Sequence, residues 1–402
     1  MSGDSISRRQ VLKRAGAAGA GAMVATGGAT AGKPPRRIVG TSARSGTRAA
    51  TDRASSVRRT LEFGDIGQAV AGRFSDEAVE SLRQRSDVRY VEADVTVHAI
   101  HHREGHGGGP GDGGGGGSTS QRLPWGVDRT DSEVAHANGE TGAGADIAII
   151  DSGIDDDHPD LQANVGAGKA FTKCKGPTCN YAWSDDNDHG THCAGIADAD
   201  DNDRGVVGVS TEATLHAVKV LDKRGSGSLS DVAAGIQYTA DQGWDVASMS
   251  LGASSGAQTL KDACTYAADR GVLLVAAAGN SGPCTDCVGY PAAYSEVVAV
   301  ASTASDDTLS SFSSTGPEVE LAAPGTDIYS TVPGGYDTFS GTSMACPHVS
   351  GAGAQLMANG ATASDARSQL KSTAESLGLG DSESGAGLLD TAAALGLDSS
   401  DD

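Results

Sequence analysis

The 402 residues leave room for two or three domains and a substantial core, and the core must rely on Val, Ala, Leu and Ile because aromatics make up only 4%. The net charge of −22 is unevenly split: residues 1–119 hold 17 Lys+Arg against 12 Asp+Glu, a net of +5, while residues 120–402 hold 13 against 40, a net of −27. So acidic a part repels phosphates, which excludes nucleic acid as its partner, and its apolar segments exclude a disordered acidic tail. A folded surface of that charge suits high salt, where counterions screen the self-repulsion.

In chain order, residues 1–31 read as an export segment. Arg8-Arg9 precede a weakly apolar Ala/Gly run ending in Ala29-Thr30-Ala31, a small-x-small pattern, and together these look like a twin-arginine signal peptide. The run is short and glycine-rich for spanning a bilayer, so a secreted, extracellular product with no membrane attachment after export is expected. Residues 32–100 form a small unit, folded over about 60–100. Within it 69–74 reads as a strand, 75–85 as a helix with Ser75 as its N-cap, and 88–97 as a second strand. Residues 101–119 form a Gly/His-rich linker, with nine glycines in 107–117, and His98, His101, His102 and His106 read as solvated residues around it.

Beyond the linker, short apolar runs alternate with helical patterns. The runs 146–150, 215–220, 245–251, 272–278 and 297–302 read as buried strands, and 228–243 and 257–271 as helices, each ending in glycine. Strands that are continuously apolar and alternate with helices predict a doubly wound, mostly parallel α/β sheet covered on both faces. Functional residues of such folds gather outside the carboxyl ends of the strands.

Three polar groups fall at such positions. Asp151 directly follows the first of these strands, His189 stands just ahead of a small-residue helix start, and Ser343 caps a later helix whose first turn accepts Pro347. A serine needs a base to take its proton, histidine suits that task near neutral pH, and the imidazole needs a carboxylate to fix its tautomer. Asp…His…Ser is one of the recurrent chain orders of that triad. A lipase-type hydrolase would want Gly-x-Ser-x-Gly, whereas Ser343 lies in Gly-Thr-Ser-Met-Ala.

With DSG at 151–153, HGTH at 189–192, AAAGNSG at 276–282 and GTSMACPHVSG at 341–351, all in order, the chain resembles the subtilisin-like serine proteases (peptidase S8), and among them the halolysin-like enzymes of halophilic archaea. The resemblance covers about 120 to 395, with the 60–100 unit similar to the family's inhibitory propeptide, a small ferredoxin-like α+β domain. It implies a catalytic domain over 120–402, a mature start near Ser120, and no further domain after the last helix. It also implies a monomeric endopeptidase, acting on proteins and peptides through an acyl-enzyme, with its own propeptide as intramolecular inhibitor.

By the same resemblance Ser343 is the nucleophile, His189 the general base and Asp151 the orienting carboxylate, and Asn280 supplies the oxyanion-hole amide. Gly225, Ser226 and Gly227, with Ser250, Leu251 and Gly252, match the two segments that pair with an extended substrate. Gly289 matches the base of the first specificity pocket, which implies a preference for large apolar residues before the cut. Gln121, Asp160 and Asn202, with the carbonyls of Asp200, Arg204 and Val206, match an all-oxygen Ca2+ site. Activity should fall on acidification as His189 takes up a proton, near an unperturbed pKa of about 6.5.

Seven cysteines leave at least one thiol unpaired. Cys174 with Cys179, and Cys284 with Cys287, could each close a local loop after export; the rival reading is one zinc site made from both pairs. Cys193 and Cys346 read as buried free thiols and Cys264 as helix core.

Overall fold

The computed structural model describes residues 33–100 and 120–399. The export segment expected over 1–31 and the linker over 101–119 lie outside the described residues. No helix among the described residues is long and apolar enough to cross a membrane.

The N-terminal unit begins earlier than 60. A strand at Arg36–Thr41 and a helix at Arg44–Arg53 precede the strand Ser56–Glu62, so the unit has two strand–helix–strand halves. Gln68–Arg73, the helix Asp76–Arg83 and Val88–Ala93 complete the second half, and the Ser75 hydroxyl accepts from the Ala78 N–H at 3.2 Å as its cap. The four strands make one antiparallel sheet in the order 56–62, 68–73, 36–41, 88–93. Side chains alternate across it. Val39 and Val70 face Ala50, Phe74 and Leu82 on the helix side. Ile38, Ala69 and Ala71 face the other way, sharing a core with Leu260 and Ala263 of the larger unit.

That larger unit is built on a seven-stranded parallel sheet. Its spatial order is Val319–Pro324, Val297–Thr303, Leu273–Ala277, Val246–Met249, Asp146–Asp151, Thr214–Lys219 and Lys169–Ala170. Alternation again assigns the faces. Ile147 and Ile149 pack with Ala194 and Val349 of the helices His189–Asp198 and Thr342–Ala358. Ala148 and Ile150 pack with Val232 and Leu260 of Leu229–Gln242 and Gln258–Ala268, so both faces are covered. The architecture is the expected α/β class. From Asp146–Asp151 the chain goes first to the edge strand Lys169–Ala170 and back to Thr214–Lys219. It then crosses to the other side of Asp146–Asp151 and winds outward to Val319–Pro324, so the direction switches beside the strand that ends in Asp151.

Two expected strands are each broken in two. The stretch 88–97 divides into Val88–Ala93 and Thr96–Ala99 because Asp94 turns to the N-terminus of Leu229–Gln242, accepting from the Ser230 N–H and hydroxyl at 3.0 Å each. The stretch 245–251 divides at Ser250, after which Leu251–Gly252 leaves the parallel sheet. The two departing pieces meet: Thr96–Ala99 lies antiparallel between Leu251–Gly252 and Ser226–Ser228.

Candidate active site

Asp151 ends its strand fully buried, and both carboxylate oxygens lie 2.9 Å from His189 Nδ1. The Ser152 N–H donates to Asp151 Oδ1 at 2.6 Å. His189 is the first residue of its helix, behind Asp188, whose φ of 95° turns the chain into it. Burial works against the imidazolium, but the Asp151 carboxylate, with Cys193 beside it, raises the His189 pKa well above its ordinary value.

Ser343 is not the cap of its helix. Gly341 is, and Ser343 is the second residue of Thr342–Ala358. Pro347 correspondingly falls in the second turn. A proline there lacks the N–H that would bond the carbonyl four residues back, which is that of Ser343 itself. The freed carbonyl accepts from the Ser250 hydroxyl at 2.8 Å, with the Cys193 thiol at 3.5 Å.

The Ser343 hydroxyl donates to the Ile100 carbonyl and lies 3.1 Å from that of Ser250. Asn280 Nδ2 donates to the same Ile100 carbonyl at 3.3 Å. Its orientation is set from behind, because Asn280 Oδ1 accepts from the Thr342 N–H and hydroxyl at 2.9 Å each. Asn280 Nδ2 is therefore aimed at a carbonyl oxygen whose carbon lies beside Ser343 Oγ, the placement from which an amide can stabilise an oxyanion when that carbon is attacked.

The other expected contacts gather around the same strand. Ala99 N–H donates to the Gly225 carbonyl at 2.9 Å, and Ile100 N–H to that of Ser250 at 3.3 Å. Gly227 pairs with Val97, Leu251 with Ala99 and Gly252 with His98, while the Ser226 hydroxyl lies 3.1 Å from His98 Nδ1. Gly289 lines a cavity of ≈ 1000 Å³ with Ile100, Gly252, Ala253, Gly279 and Asn280. A Cβ at Gly289 would come within 3.3 Å of the Ala253 carbonyl, so a side chain there would crowd that cavity.

The six residues expected to hold calcium are brought to one corner. Asp200 N–H donates to the Asp160 carbonyl at 2.8 Å, the Gln121 amide to the Asp200 carbonyl at 3.2 Å, and the Asn202 amide to the Pro159 carbonyl at 3.2 Å. Arg204 N–H donates to Asn202 Oδ1 at 3.2 Å, and Val206 N–H to Asp160 Oδ2 at 2.9 Å. Asp160 Oδ1 is buried with no hydrogen-bond partner among the described residues. A buried carboxylate oxygen left in that state is costly, and an oxygen-seeking cation would satisfy it, so the donor set fits a hard ion.

Four neighbours of the site were not singled out from sequence as parts of it. Thr342 aims Asn280, and Ile100 presents the carbonyl. Cys193 places its sulfur 4.0 Å from His189 Nδ1, and burial pushes its thiol pKa up. Lys219, fully buried, pairs with Asp186 at 2.6 Å and donates to the Ser152 carbonyl, next to Asp151. A lysine inside the run 215–220, read as a buried strand, was the available signal. The disulfides are local, Cys174–Cys179 and Cys284–Cys287, while Cys193, Cys264 and Cys346 are buried and free.

A sequence profile described as the subtilase family matches residues 142–390. Subtilisin amylosacchariticus of Bacillus subtilis subsp. amylosacchariticus is 40% identical over 315 residues, covering 77% of this chain and 76% of its own. Subtilisin of Bacillus pumilus is 42% identical over 264 residues (64% and 94%), and Subtilisin Savinase of Lederbergia lenta 43% over 262 (64% and 94%).

Proposed function

The chain belongs to the subtilase family and is a serine-type endopeptidase, and from that premise we propose that Asp151, His189, Ser343 and Asn280 perform the reaction on a substrate held as an added strand. Ser343 Oγ attacks the carbonyl carbon of that strand while His189 takes its proton. Asp151 keeps the imidazole tautomer with its proton on Nδ1, which makes Nε2 the basic nitrogen, and balances the imidazolium. Asn280 Nδ2 donates to the oxyanion. His189 then protonates the leaving amine, and water repeats the sequence on the acyl-enzyme.

The observation that carries this reading is the chain's own strand Thr96–Ala99, paired on both sides and delivering the Ile100 carbonyl to Ser343 and Asn280. A segment that pairs through its backbone in this way occupies the place of a peptide substrate, which supports an inhibitory role for the N-terminal unit. The open cavity at Gly289 supports a preference for large apolar residues before the cut. The orphaned Asp160 oxygen supports a structural Ca2+ held by Gln121, Asp160 and Asn202 with the carbonyls of Asp200, Arg204 and Val206; its charge would tie the start of the catalytic domain to the 200–206 loop. Arg8-Arg9 and the −27 charge of 120–402 support twin-arginine export into a salt-rich medium.

The test is the precursor in concentrated salt, wild type beside Ser343→Ala, with a chromogenic peptide ending in Phe. Wild type should shorten and hydrolyse the peptide, and Ser343→Ala should do neither. A variant that cleaves as well as wild type would remove Ser343 from the reaction.

A further inference from the structure

By resemblance the mature chain starts near Ser120. The bond held at Ser343 is another one. We propose that self-cleavage occurs on the carboxyl side of Ile100, leaving residues 101–119 on the mature enzyme as an N-terminal extension. The inference rests on the endopeptidase reading above and names the first bond which that site cuts.

Register carries the first part of the argument. Thr96, Val97 and His98 pair with Ser228, Gly227 and Ser226, and on the other edge His98 and Ala99 pair with Gly252 and Leu251. Val97 is fully buried, in a core shared with Leu221, Leu229 and Leu251, while Thr96 and His98 are exposed. A slip by one residue would turn Val97 out and bury a polar neighbour, so the strand is held in this register. The register ends with Ile100 N–H on the Ser250 carbonyl, and the Ile100 carbonyl beneath Ser343 Oγ and Asn280 Nδ2.

Anchoring carries the second part. Only Asp94 and Val95 separate Thr96 from the sheet strand Val88–Ala93, so a folded unit holds the cleft strand in place and the reacting carbonyl is presented at high effective concentration. The beginning of the catalytic domain is tied down elsewhere: Gln121 N–H donates to the Asp203 carbonyl at 3.1 Å and Arg122 N–H to that of Gly205 at 2.8 Å. Bringing the 119–120 bond to Ser343 would require breaking these and expelling Thr96–Ala99 from its two neighbours.

In the step, Ser343 Oγ bonds to the Ile100 carbonyl carbon and the bond to the nitrogen of residue 101 breaks. His189 carries the Ser343 proton to that nitrogen. Water then cleaves the ester, leaving an Ile100 carboxylate and restoring the Ser343 hydroxyl.

The experiment follows the intact masses of both fragments from the earliest time points of precursor processing, with peptide hydrolysis measured alongside. The expected pair is a fragment ending at Ile100 and one beginning at His101. A first fragment ending at Thr119 overturns the assignment. Proline supplies the control, because it lacks the N–H that Ile100 donates to Ser250. Ile100→Pro should slow the first cut at least about tenfold, while Thr119→Pro should process at the wild-type rate; the reverse pattern also overturns the assignment. A wild type that hydrolyses peptide but cuts elsewhere sinks only the choice of bond. One that neither processes nor hydrolyses sinks the endopeptidase reading together with it.

Discussion

Asn280 is held from behind by Thr342, so its amide nitrogen is committed to the Ile100 carbonyl and no rotamer search precedes reaction. Asn280→Ala should lower kcat about 10²–10³-fold with a smaller change in KM, a range established on subtilisin itself; steady-state kinetics on a peptide substrate check it. In the proposed role of base, His189 must be neutral. The Asp151 carboxylate raises its pKa despite burial, so the neutral fraction is reached only at higher pH. The rate of precursor self-cleavage should therefore keep climbing above about pH 6.5, the unperturbed midpoint. A single-turnover profile already flat at pH 6 would contradict that assignment. The sequence alone placed this midpoint at the unperturbed value, because it carried no record of how closely Asp151 approaches.

At the scale of elements, the N-terminal unit grips the two helices that flank the cleft by their ends. The helix Gln258–Ala268 has no side-chain cap of its own, and Glu92 of the N-terminal unit accepts from the Gln258 and Thr259 N–H groups at 2.9 Å each. Asp94 does the same at the start of Leu229–Gln242, and burial raises its pKa. A carboxylate at a helix N-terminus satisfies free N–H groups and meets the positive end of the dipole. Glu92→Ala should destabilise the precursor by about 1–2 kcal/mol, read from denaturant unfolding in a Ser343→Ala background that keeps the chain intact. An unchanged midpoint would mean that water replaces the carboxylate at no cost. The helix Thr342–Ala358 shows a different use of an end. Its buried start and its proline leave the Ser343 carbonyl to Ser250, which locks the Ser343 backbone to the strand exit beside it.

Across the whole molecule, charge is divided between the two units. Arg58 and Arg59 both meet Asp231, and Arg89 forks onto Asp262 at 2.7 and 3.0 Å; both aspartates are buried. A basic unit is thus seated on an acidic one, and salt should act on them in opposite directions. Inhibition of the matured enzyme by its released N-terminal fragment should weaken about tenfold from 0.1 to 1 M KCl, while the enzyme's own melting temperature rises as the −27 charge of residues 120–402 is screened. Inhibition assays and thermal melts across the same salt series check both. A melting temperature that falls with salt would remove the adaptation to a salt-rich medium.

What the sequence determined by itself was the parallel α/β class, the covered sheet, and the placing of Asp151 at a strand end and of His189 and Ser343 at helix starts. Continuous apolar runs and helix stops are local signals, and they survive in any context that buries them. The strand Arg36–Thr41 and helix Arg44–Arg53 escaped because flanking arginines and a small-residue helix face carry little periodicity. The breaks at Asp94 and Ser250 escaped for another reason: each turns on a partner far away in the chain, Ser230 for one and Ser343 for the other. The same holds for Lys219 with Asp186 and for the orphaned oxygen of Asp160. Only the tertiary structure decided which carbonyl meets Ser343. Pairing register across three separate segments is a property of their contact, and no one of them specifies it alone.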